Sequence, residues 1–393
     1  MAAAQTTRSL YSSLGLTHNV SKTSSGSEVH SYTSDLGPDV PILTLIHGYP
    51  QSAYEWRRAT TTTAAAAARS PPSPLNPQVD PSLAGFRAPM IVVPALKDRV
   101  SLFVPELPGY GISTPIKDKD AINANTKRSV GGALLEALSA AFNTTTTTTS
   151  SSTVKAPRKV ILGGHDRGAR ICHRLAVDFS HPHPSESESK SPPSVYSTLN
   201  LTVIGTVLLD IIPTLEQWRA FSDPAIAQGY FHWPLLANAE LAVEMISAYG
   251  GARWCRSAHL RIGGPNPQSA AKIQADNALD VYAELFDTAE TLYYTSLDYA
   301  AGAAPEAEEQ SRDQEADRKV GVPILVMFSK ARLGARIDVK GIWSGWVDKD
   351  MLRRDGESYE GFGVGDGYGH YLPEEAYEIV CPKIEEFVKK VQQ

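Results

Sequence analysis

The 393-residue sequence predicts an α/β fold, in which a mostly parallel, doubly wound sheet carries an inserted helical lid. Two observations along the chain predict the sheet. Short, unbroken apolar runs resemble parallel strands that are covered on both faces, and helical patterns follow most of these runs. A third observation predicts the lid, because the long stretch from Leu215 to Leu297 has a mostly helical pattern with no strand in it.

The predicted elements can be placed in order along the chain. The buried strands are Pro41–Ile46, Val100–Val104, Lys159–Leu162, Leu201–Leu209 and Pro323–Phe328. The helical patterns are Ala53–Arg58, Ala124–Phe142, Arg167–Phe179 and Glu374–Lys390. We therefore predict a first part of the core over residues 1–214, the lid over 215–318 and a second part of the core over 319–393.

Four stretches differ in composition from a folded core: Thr60–Pro81, Asn143–Ser152, His181–Ser194 and Ala300–Asp317. They are rich in threonine, serine, alanine, proline or acidic residues, so they cannot bury enough apolar surface to offset the entropy of ordering them. Because the cost of closing a loop grows slowly with its length, we predict that they are surface insertions between core elements.

Composition excludes several classes of protein. The net charge of −6 gives the whole chain no attraction for nucleic acid or for an anionic membrane. The three cysteines, Cys172, Cys255 and Cys381, form neither a disulfide framework nor a metal-binding motif. No apolar run approaches the length of a membrane span, and the first residues lack the apolar core of a secretory signal. We expect a cytoplasmic protein, with organelle targeting as the alternative.

The sharpest motif is Gly163–Arg170, which reads GGHDRGAR and lies between an apolar strand and an amphipathic helix. It fits the pattern glycine, any residue, nucleophile, any residue, glycine, with Asp166 where a serine often stands. Small flanking residues permit the strained strand-to-helix turn that exposes the central side chain. The helix N-terminus favours an anion there. We predict that Asp166 is a nucleophile, and the alternative is a helix cap.

A second motif, His47-Gly48-Tyr49-Pro50, follows the first predicted strand. In folds with such a nucleophile turn, an amide from this loop and the amide after the nucleophile form an oxyanion hole. These would be the amides of Tyr49 and Arg167. A histidine–glycine pair after a strand predicts only a turn when it stands alone.

Two further residues complete a candidate triad. His370 lies in a glycine-rich loop, GHYLPEE, just before the last helix, and it suits a general base. A lone loop histidine is more often a surface residue, but this context favours catalysis. Asp210 closes the strand LTVIGTVLL, where the active sites of such sheets gather. The loop after PILVMF has no carboxylate before Asp338, which favours Asp210 as the acid that orients His370.

The motifs HGYP, GHDRGAR, LDIIPT, HW and GHYLPEEA together resemble the α/β hydrolases related to fluoroacetate (haloacetate) dehalogenases, with epoxide hydrolases as near neighbours. The resemblance covers most of the chain outside the four insertions and implies the α/β-hydrolase fold. It implies that Asp166 displaces halide from a 2-haloacetate and forms an ester. It also implies that His370, helped by Asp210, activates the water that hydrolyses this ester.

The resemblance also implies the substrate-binding residues. Arg167 and Arg170 would bind the substrate carboxylate, and their spacing places them on one face of a helix. For an average pair of this kind, solvated helix charges are the commoner reading. His232, Trp233 and Tyr299 of the lid would hold the leaving halide, although Trp233 and Tyr299 could equally be lid core.

The chain departs from the family pattern in three places. The family often has an acidic residue and an arginine where this chain has Glu106-Leu107-Pro108. It usually has an arginine after the Asp-Tyr pair, where this chain has Ala300. It usually has phenylalanine in place of Tyr49. The nucleophilic set itself is intact.

Three functions stay open at this stage. The first is hydrolytic dehalogenation of a small 2-haloacid. The second is an epoxide hydrolase with the same Asp-His-Asp triad, in which Tyr299 and one of Tyr230, Tyr249 or Tyr282 protonate the epoxide. The third is a ligand-binding protein that has lost turnover. Arg170 and the His232-Trp233 pair favour the dehalogenase, because an epoxide has no carboxylate for an arginine to bind.

A serine esterase is excluded because no serine occupies the turn. The expected partners are a small-molecule substrate, most simply a small carboxylate, and water as co-substrate. No metal or phosphate-binding motif is present, so we expect no cofactor and no metal. The oligomeric state stays open at this stage, although in the family that the chain resembles a lid of this kind often contributes to a homodimer.

Overall fold

The computed structural model describes residues 2–57, 92–117, 121–144, 156–181, 198–353 and 358–393. One sheet of eight strands runs through them, in the order β1-β2-β4-β3-β5-β6-β7-β8. The strands β3 to β8 are parallel, whereas β1 and β2 pair antiparallel at one edge. The strands are β1 Thr17–Lys22, β2 Glu28–Ser34, β3 Ile42–Thr44, β4 Ser101–Pro105, β5 Arg158–His165, β6 Leu201–Leu209, β7 Ile324–Ser329 and β8 Tyr359–Val364.

The helices fall into a core set and a lid set. Those of the core are α1 Ala2–Ser13, α2 Val92–Leu96, α3 Ala121–Ala124, α4 Lys127–Phe142, α5 Arg167–Ser180, α15 Val339–Ser344, α16 Lys349–Arg353, α17 Leu372–Glu375 and α18 Tyr377–Gln392. Those between β6 and β7, which we call the lid, are α6 Thr214–Ala220, α7 Pro224–Gly229, α8 His232–Leu236, α9 Ala239–Tyr249, α10 Gly251–Ile262, α11 Ser269–Gln274, α12 Ala278–Phe286, α13 Ala289–Ala301 and α14 Ala304–Glu315.

Buried side chains on both faces of the sheet explain why its strands lack polar alternation. Leu162 of β5 belongs to one apolar cluster, which also contains Leu134 of α4 and Leu175 of α5. Its neighbour Ile161 belongs to a second cluster with Ile384 of α18. Because successive strand residues point to opposite faces, helices cover both sides of the sheet. The predicted doubly wound α/β fold is confirmed.

Most predicted elements are present, and the differences have physical causes. The predicted helix Ala53–Arg58 is a short 3-10 turn over Ala53–Trp56. The strands β1, β2 and β8 were not predicted, because polar residues or glycines interrupt each of them and they lack the unbroken apolar runs of the central strands. The insertion predicted at Thr60–Pro81 lies outside the described residues, as do most of those at 143–152 and 181–194.

The prediction that Ala300–Asp317 is a surface loop is wrong. Helix α14 covers most of it, and its buried side chains are polar. Glu306 accepts a hydrogen bond from the Lys127 amide at 2.7 Å, and Asp313 pairs with Arg174. Alanine and glutamate are good helix formers. The segment therefore packs through ion pairs and hydrogen bonds rather than through apolar area.

No helix in the described part of the chain is long and apolar enough to cross a bilayer.

Backbone packing at the start of α5 yields a stability prediction. A Cβ atom at Gly168 would lie 2.2 Å from the Ile46 carbonyl oxygen, and this strand backbone has no room to move. We expect Gly168→Ala to lower the free energy of unfolding by at least about 2 kcal/mol. Urea denaturation of the purified variant measures this loss.

The matched control is Gly132→Ala in the middle of α4, where an added Cβ meets no atom within 4 Å. There alanine should raise the free energy of unfolding by about 0.5–1 kcal/mol, because glycine is the poorer helix former. Equal effects at the two positions would contradict the packing argument.

Candidate active site

Asp166 occupies a strained turn between β5 and α5. Its backbone has φ 46° and ψ −113°, and its side chain makes no cap hydrogen bond to the helix. A Cβ atom at Gly164 would lie 2.6 Å from the Gly168 carbonyl carbon, so the turn tolerates only glycine there. The alternative role of Asp166 as a side-chain helix cap is therefore not seen.

The Asp166 carboxylate is buried and held by backbone. The Tyr49 amide donates to Oδ2 at 3.0 Å. Burial opposes ionisation, but the nearby His370 and Arg167 more than offset it and keep the pKa of Asp166 below its ordinary value. The carboxylate is therefore ionised at neutral pH, with Oδ1 free of the Tyr49 amide. The Arg167 amide is the first of the helix N–H groups that have no acceptor within the helix.

His370 and Asp210 form a hydrogen-bonded pair. The distance between His370 Nδ1 and Asp210 Oδ2 is 2.7 Å. The Ser329 amide at the end of β7 donates to Asp210 Oδ1, also at 2.7 Å. Because β5 and β6 pair in parallel with His165 opposite Leu209, Asp166 and Asp210 leave neighbouring strands at the same level of the sheet. Asp166, Asp210 and His370, which are distant in sequence, thus lie together at the carboxyl ends of the parallel strands.

Glu375 holds the loop that carries His370. Its buried carboxylate accepts hydrogen bonds from the amides on both sides of the histidine, those of Gly369 at 2.7 Å and Tyr371 at 3.0 Å. It also accepts one from the Gly264 amide of the lid at 2.8 Å. The second glutamate of the Pro-Glu-Glu motif therefore fixes the backbone on which His370 is mounted.

His165 also contacts the loop that carries His370. Its Nε2 lies 2.9 Å from the His370 carbonyl oxygen, and its Nδ1 lies 3.2 Å from the Glu55 carboxylate. Both partners only accept hydrogen bonds, so both ring nitrogens must carry hydrogen. Burial disfavours this charged ring, but the carboxylate of Glu55 more than offsets it and raises the pKa of His165 to about 9. His165 is therefore an imidazolium at neutral pH.

A cavity of about 220 Å³ lies between the lid and the carboxyl ends of the strands. Asp166, Asp210 and His370 line its floor. The lid contributes residues that include Tyr230, His232, Trp233, Trp254 and Tyr299. The arrangement places a carboxylate and a carboxylate-supported imidazole against one enclosed, mainly apolar and aromatic space.

The chain is similar to several known proteins in sequence and in fold. No family model matches the sequence. A fluoroacetate dehalogenase from Burkholderia sp is 22% identical over 311 residues, which cover 79% of this chain and 78% of that protein. An α/β hydrolase from Nostoc sp PCC 7120, provisionally so named, is 23% identical with a TM-score of 0.66, over 95% of this chain and 98% of that one. The chain has the α/β-hydrolase fold.

Two further solved structures share this fold. A protein from Pseudomonas aeruginosa, provisionally named an epoxide hydrolase, superimposes with a TM-score of 0.68 at 22% identity, over 96% of this chain and 98% of that one. The epoxide hydrolase CorEH superimposes with a TM-score of 0.62 at 18% identity, over 96% and 99%. The roles of Asp166 as nucleophile and of the Tyr49 amide as an oxyanion donor stay predictions.

The two arginines predicted to bind substrate differ in position. Arg167 is fully buried and does not line the cavity. Its Nε and Nη2 donate to the Asp298 carboxylate at 2.6 Å and to the Asp298 carbonyl at 2.7 Å, which leaves only Nη1 without a partner. Arg170 lines the cavity and donates from Nη1 to the Ile212 carbonyl at 2.9 Å. Burial and the neighbouring Arg167 lower the pKa of Arg170 to about 10, so it stays charged at neutral pH.

The predicted halide-binding residues lie close together. His232, Trp233 and Tyr299 all line the cavity, and the Tyr299 ring centroid lies 5.9 Å from that of His232 and 5.5 Å from that of Trp233. Burial and Arg261 lower the pKa of His232 to about 3, so this imidazole is neutral, and its buried Nδ1 has no partner. Halide binding by the three stays a prediction.

The structure also shows which tyrosines named for the epoxide alternative reach the cavity. Tyr230 and Tyr299 line the cavity, but Tyr249 and Tyr282 are not among the described residues that do. Tyr282 instead donates to Glu374 at 3.0 Å, and Tyr249 lies on the outer surface.

Several residues at the site were missed by sequence reasoning. The charged pair of His165 and Glu55 had no signal, because one residue ends β5 and the other lies in the 3-10 turn Ala53–Trp56, far away in the sequence. Three exposed arginines that line the cavity, Arg261, Arg332 and Arg336, were not singled out either. The sequence did carry a signal for Arg332 and Arg336, because the loop after β7 contains several cationic residues and no carboxylate before Asp338.

The charged His165 predicts a dependence of stability on pH. Its pKa is raised in the fold, so its stabilisation is complete below about pH 6.5 and is lost as pH rises through about 9. We expect the free energy of unfolding to fall by about 1.4 kcal/mol per pH unit over this interval, about 3 kcal/mol in all. Urea denaturation at several pH values measures this slope, which should vanish in His165→Gln.

His173→Gln is the matched control. His173 is buried against Trp343, and burial and Arg174 lower its pKa to about 3. Above about pH 7.5 it is mostly neutral in both the folded and the unfolded state, so its replacement should lower stability but preserve the slope in that range. A slope retained in His165→Gln would contradict the charge assigned to His165.

Proposed function

We propose that this protein is a hydrolase that uses Asp166 as a nucleophile, and that it hydrolytically dehalogenates a small 2-halocarboxylic acid. The observation that carries the proposal is that Asp166, at the nucleophile turn, lines the same cavity as the hydrogen-bonded pair of His370 and Asp210. The Burkholderia relative, a fluoroacetate dehalogenase, supports this choice of substrate class.

In the first step, Oδ1 of Asp166 attacks carbon 2 of the haloacid. A carbon–oxygen bond forms, the carbon–halogen bond breaks, and its electron pair leaves with the halide. Arg170 would hold the substrate carboxylate through a charge-assisted hydrogen bond and orient the carbon for in-line attack. Neutral His232 and the polar hydrogens of Trp233 and Tyr299 would stabilise the departing halide.

In the second step, His370 takes a proton from a water molecule, and the hydroxide attacks the ester carbon of Asp166. Asp210 stabilises the imidazolium that forms, as the acid does in other triads. Negative charge develops on Oδ2, which already accepts the Tyr49 amide, and the Arg167 amide is the second donor. Collapse of this intermediate breaks the bond between Cγ and Oδ1 of Asp166, and a proton from His370 completes the 2-hydroxy acid, which leaves with Oδ1 as its hydroxyl oxygen. The water oxygen stays on Asp166, whose carboxyl group then loses its remaining proton to solvent.

An epoxide hydrolase is the second candidate. The observation that favours it is that Tyr230 and Tyr299 both line the cavity, where two phenols could protonate an epoxide oxygen. Burial raises the pKa of each, so both remain proton donors at neutral pH. Against it stands Arg170, a charge that a neutral epoxide would leave without a counterion. A ligand-binding protein without turnover is the third candidate, and the intact triad disfavours it.

The oligomeric state and the compartment rest on the sequence alone. A homodimer and a cytoplasmic location stay predictions.

Substitution of the two central residues tests the covalent route. Asp166→Asn should lower turnover by more than about 10⁴-fold, because the amide is a poor nucleophile. His370→Asn should still form the ester but not hydrolyse it. Peptide mass spectrometry after incubation with fluoroacetate should therefore find a carboxymethyl group on Asp166. Asp317→Asn, at a mostly exposed carboxylate, is the matched control and should keep full activity.

Two substrates separate the candidate functions. Fluoride release from fluoroacetate, followed with an ion-selective electrode, is expected if the dehalogenase is correct, and Arg170→Gln should raise KM by at least about tenfold. Diol formation from styrene oxide without fluoride release would favour the epoxide hydrolase. Thermal stabilisation by either compound without any product would favour the ligand-binding protein.

A further inference from the structure

We propose that Arg261, Arg332 and Arg336, which we call the rim arginines, bind a second anionic group of the substrate. The substrate class is then a 2-halo dicarboxylic acid rather than a two-carbon haloacid. This inference rests on the proposed function and narrows its substrate. It does not alter the reaction, because the second carboxylate takes no part in bond making or breaking.

The charge balance of the cavity is the first support. Its lining contains the carboxylates of Asp166 and Asp210, which the mechanism occupies, and four arginines, namely Arg170 and the rim arginines. Within the described chain, none of these four guanidinium groups forms an ion pair with a carboxylate. Once Asp166 is esterified its charge is gone, and the excess of positive charge becomes larger still. One substrate carboxylate on Arg170 leaves the rim arginines without an anion.

Three exposed arginines outside the cavity differ from the rim arginines because each forms an ion pair. Arg99 pairs with Glu385, Arg219 with Glu216 at 3.0 Å, and Arg256 with Asp280 at 2.8 Å. Acidic residues are therefore available to balance surface arginines in this acidic chain, yet among the described residues none forms an ion pair with a rim arginine. Positive charge that converges on a cleft with low-dielectric walls attracts and concentrates anions.

The guanidinium groups of two rim arginines are held in place by neutral partners. Arg332 donates from Nε and Nη2 to the Gly263 carbonyl at 3.3 and 2.8 Å, and from Nη2 to the Arg261 carbonyl at 2.6 Å. Arg261 lies 4.7 Å from the centre of the Phe231 ring. These contacts orient the groups but neutralise neither, and Nη1 of Arg332 has no partner among the described residues. Such preorganisation reduces the entropic cost of binding an anion.

The size of the cavity agrees with a longer substrate. Its volume is about 220 Å³, and its lining extends from Asp166 and Arg170 to Arg332 and Arg336. A haloacetate has only five non-hydrogen atoms and leaves part of this space empty. A four-carbon dicarboxylate can place its reacting end near Arg170 and its second carboxylate among the exposed rim arginines.

A pair of substrates of equal chain length tests the proposal. For 2-chlorosuccinate and 2-chlorobutyrate, we expect wild-type kcat/KM to favour the dicarboxylate by at least about tenfold. The preference should approach one in the double variant Arg261→Gln, Arg336→Gln. It should also weaken at high salt, because the rim is exposed. The control Arg256→Gln, at an arginine paired with Asp280 outside the cavity, should keep the wild-type preference.

Binding without turnover separates this proposal from the proposed function. Isothermal titration calorimetry with succinate and butyrate should show tighter binding of succinate by the wild type, and loss of that difference in the double variant. Equal binding of the two acids by the wild type, or an unchanged difference in the double variant, would overturn the rim assignment. Succinate preference without halide release from either chloroacid would leave the rim assignment intact and refute the dehalogenase.

Discussion

The site depends on the close contact between the first turn of α5 and the end of β3. There the backbone of Gly168 lies against the carbonyls of Ile46 and His47, and no side-chain atom separates them. This contact brings the Tyr49 amide to the Asp166 carboxylate. In the proposed mechanism negative charge develops on the oxygen that accepts this amide, and donors at such positions contribute about 3 kcal/mol to transition-state stabilisation. The proposed mechanism therefore depends on the glycines of the turn.

Charges inside the molecule fall into two groups. The first group is satisfied within the protein and holds the backbone of the site: Glu375 on the amides that flank His370, and Glu55 on the charged His165. The second group lines the cavity without carboxylate partners. Within this group Arg170 is buried, where an unpaired charge is costly. The rim arginines are exposed, and the proposed substrate accounts for their convergence on the cavity better than folding does. Charged residues with partners inside the protein position the backbone of the site, and we propose that charged residues without such partners bind the substrate.

Sequence reasoning succeeded where a local pattern carries the physics. The central strands, the turn at Asp166 and the glycine-rich loop of His370 each have a signature within about ten residues. It failed where the partner comes from elsewhere in the chain. The helix α14 was mistaken for a loop because its stability depends on Lys127 and Arg174 of the core. The ion pair that removes much of Arg167 from the cavity likewise could not be predicted, because Asp298 is more than a hundred residues away.

Asp298 has a mechanical consequence. This one carboxylate of α13 binds Arg167 at the nucleophile turn, Lys127 of α4 and the hydroxyl of Tyr110. Lifting α13 would expose two cations and an anion that are now paired, and breaking a buried pair typically costs 3–5 kcal/mol. The neighbouring Tyr299 of the lid is thereby held in place against the core rather than carried on a movable helix. We expect substrate to enter and product to leave past the rim arginines, while α13 stays in place.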